Sequence, residues 1–406
     1  MTTATARFVT RRFRIAMFAA LYVVQGIGLA YFRNFQKPYL DSLGVSPDAI
    51  GLLTLILQLP FVLKIFIGMV SDRVSLFGMG HRKPYIMLGL VMAAVAFALA
   101  GLAMPDVNFV LFGAIVTLGS FSVTLFDSTA DGLAIDTTSR EEQGLIQGVM
   151  VGGRAGAFIL LSLLFGALVE RAGYRLVFPI IGVSMLLPLI WVVGLREPPE
   201  REIDQRFDWS AFGALKAPRF LLFAAYAVVY SLGSFGVDGL VTYFMSEEFG
   251  ATERAVGQYG ALRGIGAVIG AIGGGFLLDR LVRRNSAYLA VIAISLSTVL
   301  IGIASGSGAV IGLGLVWGIA WAFQETVFFT LAMDIADARI AASMFAIMMG
   351  VSNLGAAVGD GLATALSDDL GFSLVFWSLA GINLLALPLL AWLFRKAPEL
   401  ASDVGG

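Results

Sequence analysis

Three observations predict an all-α membrane protein with twelve transmembrane helices in two pseudo-symmetric six-helix bundles. First, hydrophobic residues make up 58% of the chain and charged residues only 14%, where a soluble domain carries about 25% charged. Second, its apolar runs approach or exceed the ~20 residues needed to cross a bilayer. Third, two unrelated patterns recur at nearly one spacing. Gly68-Met-Val-Ser-Asp72-Arg73, with His81-Arg82-Lys83-Pro84 close behind, returns 207 residues later as Gly275-Phe-Leu-Leu-Asp279-Arg280-Leu-Val-Arg283-Arg284. Gly44-Val-Ser-Pro-Asp-Ala-Ile-Gly51 returns 206 residues later as Gly250-Ala-Thr-Glu-Arg-Ala-Val-Gly257. The chain is therefore a duplicated unit.

Taken in order, the apolar runs predict spans at about 15–34, 49–71, 84–104, 108–133, 145–169, 176–195, 219–245, 255–278, 286–305, 308–333, 340–366 and 371–394. Residues 1–195 form the first bundle and 219–406 the second. The charged stretch 196–218, holding Pro198, Pro199 and Pro218, is the linker between them. The basic start (Arg7, Arg11, Arg12, Arg14) precedes a run long enough to span and no convincing small-residue cleavage site follows, so it reads as the first span rather than a leader. Ser46 before Pro47 and Thr252 before Glu253 read as N-caps opening spans 2 and 8. The small-residue surfaces Gly264-Ile-Gly266-Ala-Val-Ile-Gly270 and Gly152-Gly153-Arg154-Ala-Gly156 read as helix-packing faces. Lys and Arg divide nineteen against five between the two sides. That bias places both termini and the linker in the cytoplasm, in a multi-pass protein of the cell membrane.

Several functions are disfavoured at once. A net charge of −1 gives nucleic acid no purchase. With no cysteine and a single histidine, His81, there is no basis for disulfides, thiol catalysis or a zinc cluster, so no metal, cofactor or catalytic residue is expected. His-Glu-x-x-His and Gly-x-Ser-x-Gly are both missing, and so is a Gly-x-x-x-x-Gly-Lys-[Ser/Thr] phosphate loop, which argues against ATP drive within this chain.

Twelve spans in two halves, with Gly-x-x-x-Asp-Arg and a basic cluster after spans 2 and 8, resemble the major facilitator superfamily. Within it, Leu59-Pro60-Phe-Val-Leu-Lys64, Ser71-Asp72-Arg73 and Leu76-Phe-Gly-Met-Gly-His-Arg82-Lys83-Pro84-Tyr85-Ile86 are similar to the folate–biopterin transporter family. Asp127-x-x-x-Asp131-Gly and Leu331-Ala-Met-Asp334-x-x-Asp337-x-Arg339 resemble the neighbouring peptide/acetyl-CoA transporter family. The resemblance implies that Gly68, Asp72, Arg73, Arg82, Asp136, Asp279, Arg280 and Asp334 form a cytoplasmic gate that breaks when that side opens. In this expectation Asp72 faces the start of span 11 near Ala341 to Ser343, Asp279 faces the start of span 5, Arg73 pairs with Asp136 and Arg280 with Asp334. The resemblance also implies that spans 1, 4, 7 and 10 line the central path.

Ionisable residues at bilayer depth are the sharpest functional signal. Lys64 lies eight residues from Asp72, and Asp127 and Glu325 each lie nine from Asp136 and Asp334, hence about 12–14 Å inside at ~1.5 Å per residue. An offset of 198 maps Asp127 onto Glu325 and Asp136 onto Asp334. Asp127 and Asp131 share one helix face and need cations nearby to stay ionised together. The predicted first-half cluster is Lys64, Asp127, Asp131 and Arg154; the second-half set is Asp238, Arg263 and Glu325. For Lys64 and Arg154 a static ion-pair network between helices is an equal reading.

Polar stripes extend both sets. Tyr226, Tyr230, Ser234, Asp238 and Thr242 recur every four residues on span 7, as do Trp317, Trp321 and Glu325 on span 10, and span 1 offers Tyr22, Gln25 and Arg33. Together these predict a monomeric secondary transporter moving a small polar or anionic organic solute by alternating access. Its substrate site holds Gln25, Arg33, Lys64, Arg154, Tyr230, Ser234, Asp238, Arg263, Trp317 and Trp321, and Asp127, Asp131 and Glu325 couple H+. Sodium coupling and uniport stay open, as does a transport-inactive scaffold or assembly factor with the same fold.

Overall fold

The computed structural model of the chain describes residues 10–138, 142–195, 215–335 and 341–400. Among these residues there is no strand, and twelve helical segments are long and apolar enough to cross a membrane. They coincide with the twelve predicted spans to within a few residues. Capping polar side chains set several starts. Thr10 accepts from Phe13 N before α1 (Arg11–Asn34), and Asn108 accepts from Leu111 N before α6 (Phe109–Thr137). Ser46 and Thr252 cap as the sequence predicts, accepting from Ala49 N at 3.4 Å and Ala255 N at 3.3 Å.

Two compact units result: residues 1–44 with 63–204, and residues 45–62 with 205–406. The division falls inside span 2. That span is two helices, α3 (Pro47–Val62) and α4 (Lys64–Arg73), broken at Leu63. Pro60 has no N–H to offer the turn before the break.

In the first unit, α1 packs on α7 (Gln143–Ala172), and a Cβ on Gly26 would lie 2.3 Å from the Arg154 carbonyl oxygen. Only glycine permits that approach. At the cytoplasm-facing end predicted by charge, Arg11 and Arg14 both pair with Glu142, and Lys83 donates to the carbonyls of Val193 and Leu195 at 2.7 and 2.9 Å. A short helix, α2 (Gln36–Ser42), follows α1 and was not legible in the apolar pattern.

In the second unit, α11 (Glu253–Arg280) packs on α13 (Ser307–Ile335) through Gly266 and Gly270, where a Cβ would come within 2.2 Å of backbone oxygens of Leu315 and Ile319. The packing expected of that glycine face is present. Gly152 and Gly156 of α7 differ: a Cβ there would meet nothing within 4 Å. The outer half of span 2, α3, packs on α14 (Ala341–Ala365). Gln58 Nε2 donates to Asp360 at 3.0 Å and Asn353 Nδ2 to the Phe61 carbonyl at 2.9 Å. Asp360 is buried, and its carboxylate sits where a side chain on Gly239 of α10 (Pro218–Phe249) would stand.

Candidate functional site

Each unit carries its own cluster of charged side chains on its membrane-spanning helices. In the first unit, Lys64 opens α4 immediately after the break at Leu63 and points toward α6. Its Nζ lies 2.6 Å from both Asp127 Oδ2 and Asp131 Oδ2. Gln25 Nε2 of α1 donates to Asp127 Oδ1 at 2.7 Å, and the Tyr22 hydroxyl donates to Asp131 Oδ1. All four carboxylate oxygens therefore accept a hydrogen bond. Satisfaction of this kind makes a charge tolerable away from water. Ser128 adds a bond to the Lys64 carbonyl at 3.2 Å, which steadies the helix break itself. The Arg154 guanidinium stands over the Tyr22 ring at 5.8 Å, so it touches the cluster through an aromatic face. Asp127 is the most enclosed member, with its side chain 10% exposed; Lys64 and Asp131 stay open at 31% and 38%.

In the second unit, Arg263 of α11 and Asp238 of α10 are both buried and pair at 2.7 Å. The guanidinium lies 4.3 Å from the Trp321 ring centroid and 5.8 Å from that of Trp317, and the two indoles stack at 15°. Phe235 meets Trp321 edge-on at 6.0 Å, and Tyr230 lies beyond it at 6.5 Å. The result is a cation held flat on an indole shelf. Trp317 is pinned by its Nε1 bond to Thr298 at 3.1 Å. Trp321 Nε1 and the hydroxyls of Tyr226, Tyr230 and Tyr259 are buried donors that make no hydrogen bond among the described residues. Buried polar groups are rarely left so. Glu325, half-buried on α13, lies within electrostatic reach of the Tyr230 hydroxyl together with Asp238 and Arg263.

The structure thus gathers Lys64, Asp127, Asp131 and Gln25 in one place, and Asp238, Arg263, Trp317, Trp321 and Tyr230 in another. Ser234 instead bonds Gln324 at 3.3 Å, within a buried network through Gln324, Asn383 and Ser295. Arg33 stands in the last turn of α1, eight residues and so about 12 Å along the axis from Gln25. Tyr22 was visible as a polar member of its span, but its bond to Asp131 was not. Gln324 and Asn383 were missed because the four-residue stripe on span 10 favoured the tryptophans.

At the charged ends of the helices, Arg82 reaches Asp136. Its Nε lies 3.1 Å from Asp136 Oδ2, its second nitrogen donates to Ser71 Oγ at 2.7 Å, and its guanidinium rests where Gly132 has no side chain. In the second unit Asp334 accepts from Arg283, the first residue of α12 (Arg283–Gly302), where the sequence pairing named Arg280. Each unit therefore ties the end of its fourth helix to the start of its third. The side chains of Asp72, Arg73 and Asp279 and those of Ala341 to Ser343 lie outside the described residues. Gly68 lets α4 pass α6 with ordinary contact, a Cβ there lying 3.6 Å from Ser128 Oγ.

A family model described as Major Facilitator Superfamily matches residues 15–359 and, separately, 229–405. The folate-biopterin transporter of Synechocystis is 25% identical over 386 residues, covering 88% of this chain and 74% of that protein. The putative folate transporter 2 of Plasmodium berghei is 24% identical over 360 residues, covering 84% and 78%. A bacterial homologue of the human lysosomal transporter Spinster, solved inward-facing and occupied, superposes with a TM-score of 0.79 at 17% identity, covering 97% of this chain and 99% of that one.

Proposed function

The chain belongs to the Major Facilitator Superfamily, and on that premise we propose that it is a proton-coupled secondary transporter that moves a planar organic anion of the folate–pterin kind by alternating access. It works as a monomer in the cell membrane with both termini cytoplasmic, an orientation drawn from the nineteen-to-five distribution of Lys and Arg. The halves that alternate are 1–195 and 219–406, joined by 196–218.

The observation that carries the coupling is the first cluster. Lys64 is shared by two carboxylates, and the second cation near them, Arg154, stands off behind the Tyr22 ring, so one carboxylate charge is only loosely matched at a depth where net charge is costly. A single proton cancels it. Asp131, the more open carboxylate, is placed to exchange that proton, and Asp127 to hold Lys64 while it does so. This reading moves Lys64 from substrate ligand to counter-cation of the pair. Glu325 is the corresponding proton group of the second half.

The second cluster recognises the substrate. Arg263 is already neutralised by Asp238, so an incoming anion competes for the guanidinium rather than meeting a bare charge. The Trp317–Trp321 shelf supplies a stacking face for a flat ring. The unfilled donors at Trp321 Nε1 and Tyr230 suit a ring edge rich in acceptors. The folate and biopterin names of the relatives fit that chemistry. Arg154 and Arg33 are the remaining cations for the anionic tail.

Uptake of labelled biopterin and folate into proteoliposomes, with and without an imposed pH gradient, tests the proposal. Accumulation driven by an acid-outside gradient supports it. Uptake that ignores the gradient removes proton coupling, and uptake of neither compound removes the substrate class.

A further inference from the structure

Apart from both charge clusters, the second unit carries an open cavity of about 360 Å³ where three of its helices end. Phe244, Glu248 and Phe249 from the last turns of α10 form one wall. Phe372 and Trp377 from the start of α16 (Phe372–Leu384) form the other, and Ala304, just past α12, closes the base. Gly371, with φ +77°, makes the turn that delivers α16 to this place.

The walls are fixed before any ligand arrives. Phe244 is buried and meets Phe249 at 4.9 Å and Phe372 at 5.3 Å in tilted or edge-on contacts. The Ser373 hydroxyl donates to the Gly302 carbonyl at 2.7 Å and ties α16 to α12. Among the residues lining the cavity, Glu248 is the only one that carries a charge. Aromatic faces around one carboxylate are the chemistry that selects an organic ammonium over other groups.

The rim identifies the source of that ammonium. Leu370 before the turn and Leu374 and Trp377 on a helix of membrane-spanning hydropathy line the cavity and are 47%, 48% and 45% exposed. An exposed tryptophan at a helix end marks the level of lipid headgroups. We infer that this cavity is a binding site for a phospholipid with an ethanolamine headgroup. The ammonium sits against Glu248 among the phenylalanines, and the acyl chains run down Leu374 and Trp377.

Native mass spectrometry of the full chain, released from detergent after titration with short-chain phosphatidylethanolamine or phosphatidylglycerol, tests the site. The ethanolamine lipid is expected to be retained in preference, and Glu248→Gln to weaken its retention about fivefold while leaving phosphatidylglycerol adducts unchanged. Glu248 is exposed, so this variant keeps its fold; Phe249→Ala, which removes part of the cage wall, should weaken the same lipid in parallel. Free ethanolamine at millimolar concentration should fail to displace the lipid. Equal retention of both lipids, an unchanged Glu248→Gln titration, or full displacement by free ethanolamine would each overturn the assignment.

Discussion

Each unit carries a cluster of charged side chains, and the two clusters differ in kind. In the first, one lysine faces two carboxylates whose every oxygen is bonded, and Arg154 stands over the Tyr22 ring. In the second, one arginine matches one aspartate and lies on a pair of stacked indoles. The first pairs two carboxylates with one directly bonded cation, its Lys64 and Asp131 partly open; the second pairs one carboxylate with one cation that lies on stacked indoles. On the proposed function, divergence of the side chains between the two halves divides the labour between proton and solute.

Removing the cation from each cluster is the severest way to break this comparison. Lys64→Met leaves two carboxylates at bilayer depth without their shared ammonium, at a cost of about 3–5 kcal/mol. The thermal midpoint in detergent should fall sharply, and adding Asp131→Asn to Lys64→Met should recover much of it. Arg263→Met should lose a similar amount, recovered by Asp238→Asn. Failure of either second substitution to rescue would mean that the pair is not the unit.

A gentler change separates the roles. Arg263→Lys keeps the charge but loses the plane that lies on Trp321, so half-saturating substrate concentration should rise about tenfold while the fold persists. If transport by the lysine variant is unaltered, the indole shelf does not bind substrate through the guanidinium.

The two helix-end latches make a smaller test. Arg82 is buried and bonded to Asp136 and Ser71, whereas the side chains of Arg283 and Asp334 are 22% and 24% exposed. Arg82→Gln should cost about 3 kcal/mol and Arg283→Gln under about 1 kcal/mol, read as a difference in thermal midpoint. Smallest of all, Trp317→Phe gives up the bond to Thr298 and about 1 kcal/mol of stability. Trp321→Phe should leave stability alone and weaken binding, because its Nε1 makes no bond within the described residues.

Much of this was legible in the sequence because bilayer thickness and duplication constrain it so strongly. Twelve apolar runs correspond to the twelve helical segments long enough to span, and the charged positions Lys64, Asp127 and Asp131 do meet. The break at Leu63 was harder to read, since Pro60 lies three residues before it and a proline within a span usually only kinks the helix. The Arg82–Asp136 and Arg283–Asp334 pairings were missed for a different reason. Adjacent arginines in a basic cluster are interchangeable on paper, and only the bend of the loop and the gap at Gly132 select one. Side-chain amides such as Gln324 and Asn383 carry no charge signal, so their buried network emerged only from coordinates.

The central claim is that the first cluster handles the proton and the second handles the solute. Substrate counterflow and gradient-driven accumulation, measured side by side in proteoliposomes carrying Asp131→Asn, test it most directly. Accumulation should vanish while counterflow continues. A variant that keeps both, or that loses counterflow while remaining folded, would contradict the division.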